Sequence, residues 1–212
     1  MSLTSNWPVE FANVIACAAC DHDCNIFRDT EENVPQPGYV GPNYWNRRVL
    51  LIGQNPGTPK TLAEQDKQYT HALRQLVQVP SQENFEKLSI ILKHFIPKWP
   101  VHGNYFPLQE AGLSLDDIAY FNVVRCRTLS DARPSGHSVK NCLSSHFTRW
   151  LDLLSPKVVV FIGKWARDQA AIEVQRRNIP FAFMNRQRSL SSEKRIENKY
   201  AVIQLLRTTV GP

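Results

Sequence analysis

Five cysteines, at positions 17, 20, 24, 126 and 142, are the side chains of this sequence best suited to chemistry that no packing role requires. Three of them crowd into Cys17-Ala18-Ala19-Cys20-Asp21-His22-Asp23-Cys24. Two thiols three positions apart near the start of a chain are a common opening of a metal site. Cys126 directly follows an apolar run, and Cys142 falls on the apolar face of a helical pattern, so both can converge on the N-terminal thiols. Four thiolates suit an iron-sulfur cluster or a structural zinc. A local zinc site from Cys17, Cys20, Cys24 and His22 is the other arrangement, and ordinary buried cysteines are the plain one. An odd cysteine count argues against a secreted disulfide framework.

A second stretch, Gly53-Gln54-Asn55-Pro56-Gly57, ends an apolar run with two glycines that let backbone approach a ligand closely. A helix starting just beyond would offer free N–H groups to an anion. It is not a nucleotide-triphosphate loop: three residues separate the glycines where that motif needs four, and Thr58-Pro59 precede Lys60. A structural turn is the alternative.

These residues need elements to position them. Residues 48–53, 118–124, 157–163 and 180–184 are short apolar runs bounded by turn chemistry and read as four buried strands. Near-continuous apolar strands alternating with helical patterns call for a mainly parallel sheet covered on both faces. Val139, Cys142, Leu143, His146, Phe147, Trp150, Leu151 and Leu154 trace one helical face. Further helices are read around Leu62 to Val77, Phe85 to Phe95 and Trp165 to Arg177, and 34–42 is read as a loop. The fold class is α/β, a three-layer α/β/α sandwich on a mainly parallel four-stranded sheet. The whole chain, 1–212, is expected to form one domain. A site is then expected at the carboxyl ends of the strands.

Composition bounds the function. With 212 residues, 42% hydrophobic and 21% charged, the sequence excludes collagen-like and disordered classes. No run approaches the roughly 18 apolar residues of a membrane span, so a soluble, cytoplasmic monomer with no membrane partner is expected. Charge is uneven: residues 1–120 hold 9 Lys/Arg against 13 Asp/Glu, and 121–212 hold 16 against 6. That asymmetry, −4 against +10, suits a polyanionic partner such as nucleic acid.

Together these pieces resemble the uracil-DNA glycosylase superfamily, closest to its iron-sulfur-containing, family 4-like branch, from about residue 17 to 184. The resemblance rests on the Cys-x-x-Cys of Cys17 and Cys20, on Asn122-Val123-Val124-Arg125-Cys126-Arg127, and on Cys142 sixteen positions after Cys126. It extends to Ser155-Pro156 followed by the strand ending at Gly163-Lys164. It implies a structural 4Fe-4S cluster on Cys17, Cys20, Cys126 and Cys142, with zinc as the alternative and Cys24 as the spare, a Cys20/Cys24 pairing being the second register.

The resemblance further implies a DNA-repair enzyme that flips a damaged base from the stack and hydrolyses its bond to deoxyribose. Asn55 then orients the attacking water, Gln54 contacts the base through its backbone N–H, and Asn122 reads the amide edge of the base. Gly53, Pro56 and Gly57 shape the catalytic loop. The branch usually has Glu-Ala where this chain has Gln54-Asn55, and the stacking Phe after the loop is absent; Tyr69 or Phe106 would replace it. The family's His-Pro-Ser-like motif is replaced by Met184-Asn185-Arg186-Gln187-Arg188-Ser189, which assigns its role to Asn185 and DNA contacts to Arg186, Arg188 and Lys164. The partner is DNA with a damaged or mismatched base, which implies association with the nucleoid. The alternative is an inactive member that binds nucleic acid without releasing a base.

Overall fold

The computed structural model describes residues 6–20, 23–27, 33–58, 63–99, 108–185 and 191–211. His22, Phe106, Arg186 and Arg188 therefore lie outside the described residues. The chain groups into two compact units, each assembled from three separate stretches of sequence.

One unit comprises 38–54, 96–123 and 148–212 and holds the sheet. Its strands are β1 (Tyr39–Val40), β2 (Val49–Gly53), β3 (Ile118–Asn122), β4 (Val158–Ile162) and β5 (Phe181–Met184), in the order β1-β3-β2-β4-β5. The pairs of β2 with β3, β2 with β4 and β4 with β5 are parallel. The short β1 pairs antiparallel to β3 within the stretch read as a loop, so the sheet has five strands, one more than the sequence shows. Two residues cannot carry a periodic signal. Every residue of β2 and β4 is buried, which is why these strands read as unbroken β-branched and aliphatic runs. Each aliphatic side chain so buried contributes about 1.5–3 kcal/mol.

Four helices complete this unit: α2 (Tyr44–Arg47), α6 (Thr148–Leu154), α7 (Lys164–Gln175) and α8 (Ser192–Val210). Trp150 of α6 meets Phe121 of β3 edge to face at 5.7 Å. Gly163 turns the chain from β4 into α7 with φ 95°, a conformation that favours glycine. The sequence reading omits α8, whose charged stretch hides the few buried positions Val202, Ile203 and Leu206.

The other unit comprises 1–37, 55–95 and 124–147. It contains α1 (Trp7–Ile15), α3 (Ala63–Gln78), α4 (Gln82–Phe95) and α5 (Gly136–Cys142). Ser81 opens α4 by accepting from the Asn84 N–H at 3.2 Å, and Ser135 does the same for α5 from Ser138. The helix expected over 139–154 is in fact two α-helical pieces separated by a π-helical stretch, Leu143–Phe147. Such widened turns occur often at functional sites. Among the described residues no helix is long and apolar enough to cross a membrane.

Candidate functional site

In the sheet unit, four parallel strands end at Gly53, Asn122, Ile162 and Met184, and the residues that follow carry polar chemistry. Gly53 pairs in register with Asn122. Asn122 is only 7% exposed, and the Tyr120 hydroxyl donates to its Oδ1 at 2.9 Å. Among the described residues no acceptor is assigned to the amino group of Asn122, which leaves that group to donate to a ligand. Gly53 is required here, because a Cβ would overlap Asn122 Oδ1 and lie 2.8 Å from Tyr120 Oη.

Gly53→Ala is expected to cost about 2 kcal/mol through this overlap, lowering the melting temperature by roughly 4–8 °C. Thermal unfolding checks it, and a change under about 1 °C would contradict the close approach.

Gln54 is half-buried behind β2. Asn185 follows β5 and donates its backbone N–H to Asn198 Oδ1 at 2.9 Å, while Asn198 Nδ2 donates to Phe183 O. Asn198 belongs to α8 and was invisible to the sequence reading for that reason. Lys164, first residue of α7, is exposed and lies 3.8 Å from Asp168. Arg167 stacks 4.1 Å from the Phe183 ring and bonds Asp168, so that arginine is already engaged.

In the other unit, Asn55 is half-buried and donates Nδ2 both to Pro56 O and to Thr128 Oγ1, each at 3.2 Å. The segment after β3 locks this loop in place. Arg127, 5% exposed, donates to Gly57 O at 3.2 Å, to Asn33 Oδ1 at 3.1 Å and to Asp66 Oδ1 at 2.5 Å. Asp131 Oδ1 accepts from the Thr58 N–H at 3.0 Å. Ser130 and Asp131 both adopt left-handed backbone, φ 54° and 52°, a strain found most often at functional sites. Sequence reasoning missed Thr128, Arg127, Asp66 and Asp131, since the partners that place them here lie 61–94 residues away.

Arg127→Met leaves Asp66 without its counter-charge, and the expected cost is about 3 kcal/mol. A fall in the urea midpoint at unchanged slope checks it; an unshifted midpoint would remove the ion pair from the account.

Tyr69 is 2% exposed, with its ring 6.3 Å from Phe95. Its ring is spent on the packing of α3 against α4, which corrects the expectation of a face offered to a base.

The Uracil DNA glycosylase superfamily model matches residues 41–206. The chain belongs to this superfamily. No curated protein matches the chain. Superfamily members act on DNA, and the match spans Asn55, Asn122, Cys126, Cys142 and Asn185 while leaving Cys17, Cys20 and Cys24 outside.

The thiols of this superfamily member are gathered in the unit that holds Asn55. Cys17, Cys20, Cys126 and Cys142 all line one recess together with Ala19, Ile26, Pro35, Arg125, Asn141 and His146. Among the described residues no group of three or more His, Cys, Asp or Glu is arranged to hold a single metal ion. N–H groups point at the sulfurs: Ala19 N–H at Cys17, the Arg125 backbone N–H at Cys142, and Asn141 Nδ2 at the buried Cys24. Burial pushes Cys20 up to about 12, with Cys24 and Cys142 adding to it, and burial also raises Cys142. Burial thus favours the thiol form of Cys20 and Cys142, and the sulfur-directed N–H groups oppose it. Thiolates are the donor type that an iron-sulfur cluster or a structural zinc takes. Burial lowers the neighbouring His146 to about 4, followed by the charge of Arg125, so this imidazole is neutral.

Proposed function

We propose that this chain is a DNA glycosylase that removes uracil or a related deaminated base. The observation that carries the reading is the Asn122 carboxamide, buried at the end of β3, its oxygen engaged by Tyr120 and its amino group left to donate. A base with a carbonyl at the matching edge, as in uracil or hypoxanthine, accepts from that group, whereas the exocyclic amine of cytosine or adenine does not. Gly53, having no Cβ, lets the Asn122 carboxamide and the Tyr120 hydroxyl lie close against the end of β2.

Hydrolysis then needs a water directed at the sugar. Asn55 holds it by hydrogen bond and, being an amide, takes no proton. The water oxygen bonds C1′ as the bond from C1′ to the base nitrogen breaks; the bonding pair leaves with the base, and the water proton passes to solvent or the departing base. Stabilising that anionic base by fixed donors is the larger share of the catalysis, supplied in this reading by Asn122 and the Gln54 backbone N–H. Asn185 takes the place of the family's His motif, and Lys164, Arg186 and Arg188 meet phosphates.

Four thiols lining one recess support a 4Fe-4S cluster held by Cys17, Cys20, Cys126 and Cys142, with a structural zinc as the alternative. When bound, such a cluster supplies a cross-link and no step of the hydrolysis. In this reading both compact units form one functional domain, acting as a monomer on DNA at the nucleoid.

The test is base release from single-stranded and mismatched oligonucleotides carrying uracil or hypoxanthine, followed by alkaline cleavage at abasic sites. Cleavage of those strands but not of thymine controls supports the reading. Salt-sensitive DNA binding with no cleavage of any strand overturns it in favour of a binding protein.

A further inference from the structure

We infer that Thr128 is a positioning residue that sets which way the Asn55 amide faces; the inference rests on the glycosylase reading for its consequence and on hydrogen-bond polarity for its argument. Thr128 is 2% exposed. Its Oγ1 lies 2.5 Å from the Ala132 carbonyl and 3.2 Å from Asn55 Nδ2. A carbonyl only accepts, so the single hydroxyl proton of Thr128 goes to Ala132 and the hydroxyl oxygen must accept from Asn55. The second Asn55 N–H goes to Pro56 O, another group that only accepts.

Both N–H groups of the amide are thereby committed, and the carbonyl oxygen Oδ1, to which no donor among the described residues is assigned, is the part that remains for a ligand. A water bound there donates one hydrogen and turns a lone pair outward, the orientation that attack on an electron-poor carbon requires. If the amide were reversed, its N–H groups would occupy one lone pair of the water and draw density from the other, leaving a poorer nucleophile. Thr128 thus decides between a productive and an unproductive water without touching it.

The surrounding backbone keeps Thr128 in this role. Ile26 and Thr128 form an antiparallel bridge, with the Phe27 N–H bonded to Arg127 O and the Leu129 N–H bonded to Asn25 O. The left-handed residues Ser130 and Asp131 then fold the chain back so that Ala132 O reaches the Thr128 hydroxyl.

The test uses Thr128→Val, which keeps the shape and removes the hydroxyl, Thr128→Ser, which keeps the hydroxyl, and Thr128→Ala should the valine variant not fold. Two readouts are taken on nitrogen-15-labelled full-length protein. The first is solvent exchange of the Asn55 side-chain amide, assigned by its disappearance in Asn55→Ala. It is expected to quicken roughly tenfold or more in Thr128→Val and to stay near wild type in Thr128→Ser. The second is single-turnover uracil release, expected to fall roughly 10- to 100-fold in Thr128→Val with DNA affinity unchanged, and to fall no further when combined with Asn55→Ala. Unaltered Asn55 amide exchange in Thr128→Val, or a serine variant as impaired as valine, overturns the inference. Quickened exchange in a protein whose wild type releases no base upholds the positioning of Asn55 and rejects the glycosylase reading instead.

Discussion

Asn55→Ala is expected to slow single-turnover uracil release roughly hundredfold or more while leaving affinity for uracil-free DNA unchanged. Three structural facts set that size. The amide is held by two hydrogen bonds from its nitrogen, so its oxygen is already oriented before any substrate arrives. The loop that carries it is clamped at Gly57 O by Arg127 and at the Thr58 N–H by Asp131, so alanine does not let the backbone drift. The side chain is only half-buried, so its loss leaves no large cavity and the melting temperature stays within a few degrees of wild type. An alanine variant as fast as wild type would move the water elsewhere, and one that failed to bind DNA would make Asn55 a recognition residue.

Cys126→Ser is expected to have the second-largest effect. Cys126 is 9% exposed and lines the same recess as Cys17, Cys20 and Cys142. Its loss should abolish the broad visible absorbance of anaerobically purified protein and lower the bound iron and sulfide. Because metal binding is folding free energy in such a site, stability should fall by about 4 kcal/mol, some 10 °C in melting temperature. Cys24→Ser supplies the contrast: Cys24 is buried beside Asn141 but is not among the residues lining the recess, so that variant keeps its iron. Full iron content in Cys126→Ser would dismiss this ligand set. Colourless wild-type protein with stoichiometric zinc would replace the cluster by zinc.

The two expectations draw on different parts of the sequence, and they differ in how readable those parts were. The strands β2 and β4 were legible because a strand covered on both faces must be apolar at every position, as Val49–Gly53 and Val158–Ile162 are, while β3 and the half-buried β5 still read as short apolar runs. The edge strand Tyr39–Val40 was not, since two residues bearing one antiparallel pairing leave no period to detect. The break at Leu143–Phe147 escaped because a π-helical stretch alters winding without altering which residues are apolar. Helix α8 escaped because most of its residues face solvent and its buried positions are few.

The candidate site divides along the same line. The Gly53–Gly57 loop and the four recess-lining cysteines stood out by residue type and spacing, which the sequence displays directly, whereas the roles of Asn55 and Asn122 came from the family resemblance. Tyr69 did not keep the role the sequence suggested, since packing against Phe95 buries it. Thr128, Arg127, Asp66, Tyr120 and Asn198 gained their roles only from geometry. Thr128 is one of many threonines until its hydroxyl is found between Asn55 Nδ2 and Ala132 O.

The sequence by itself determined the class of fold, the superfamily resemblance and the identity of the polar groups offered at the ends of the strands, because burial and spacing are local properties of the chain. Tertiary structure alone decided that four thiols separated by up to 125 positions line one recess, and which face each carboxamide presents. A hydrogen bond's direction depends on what each partner has already given or accepted, and those partners meet only when the chain is folded.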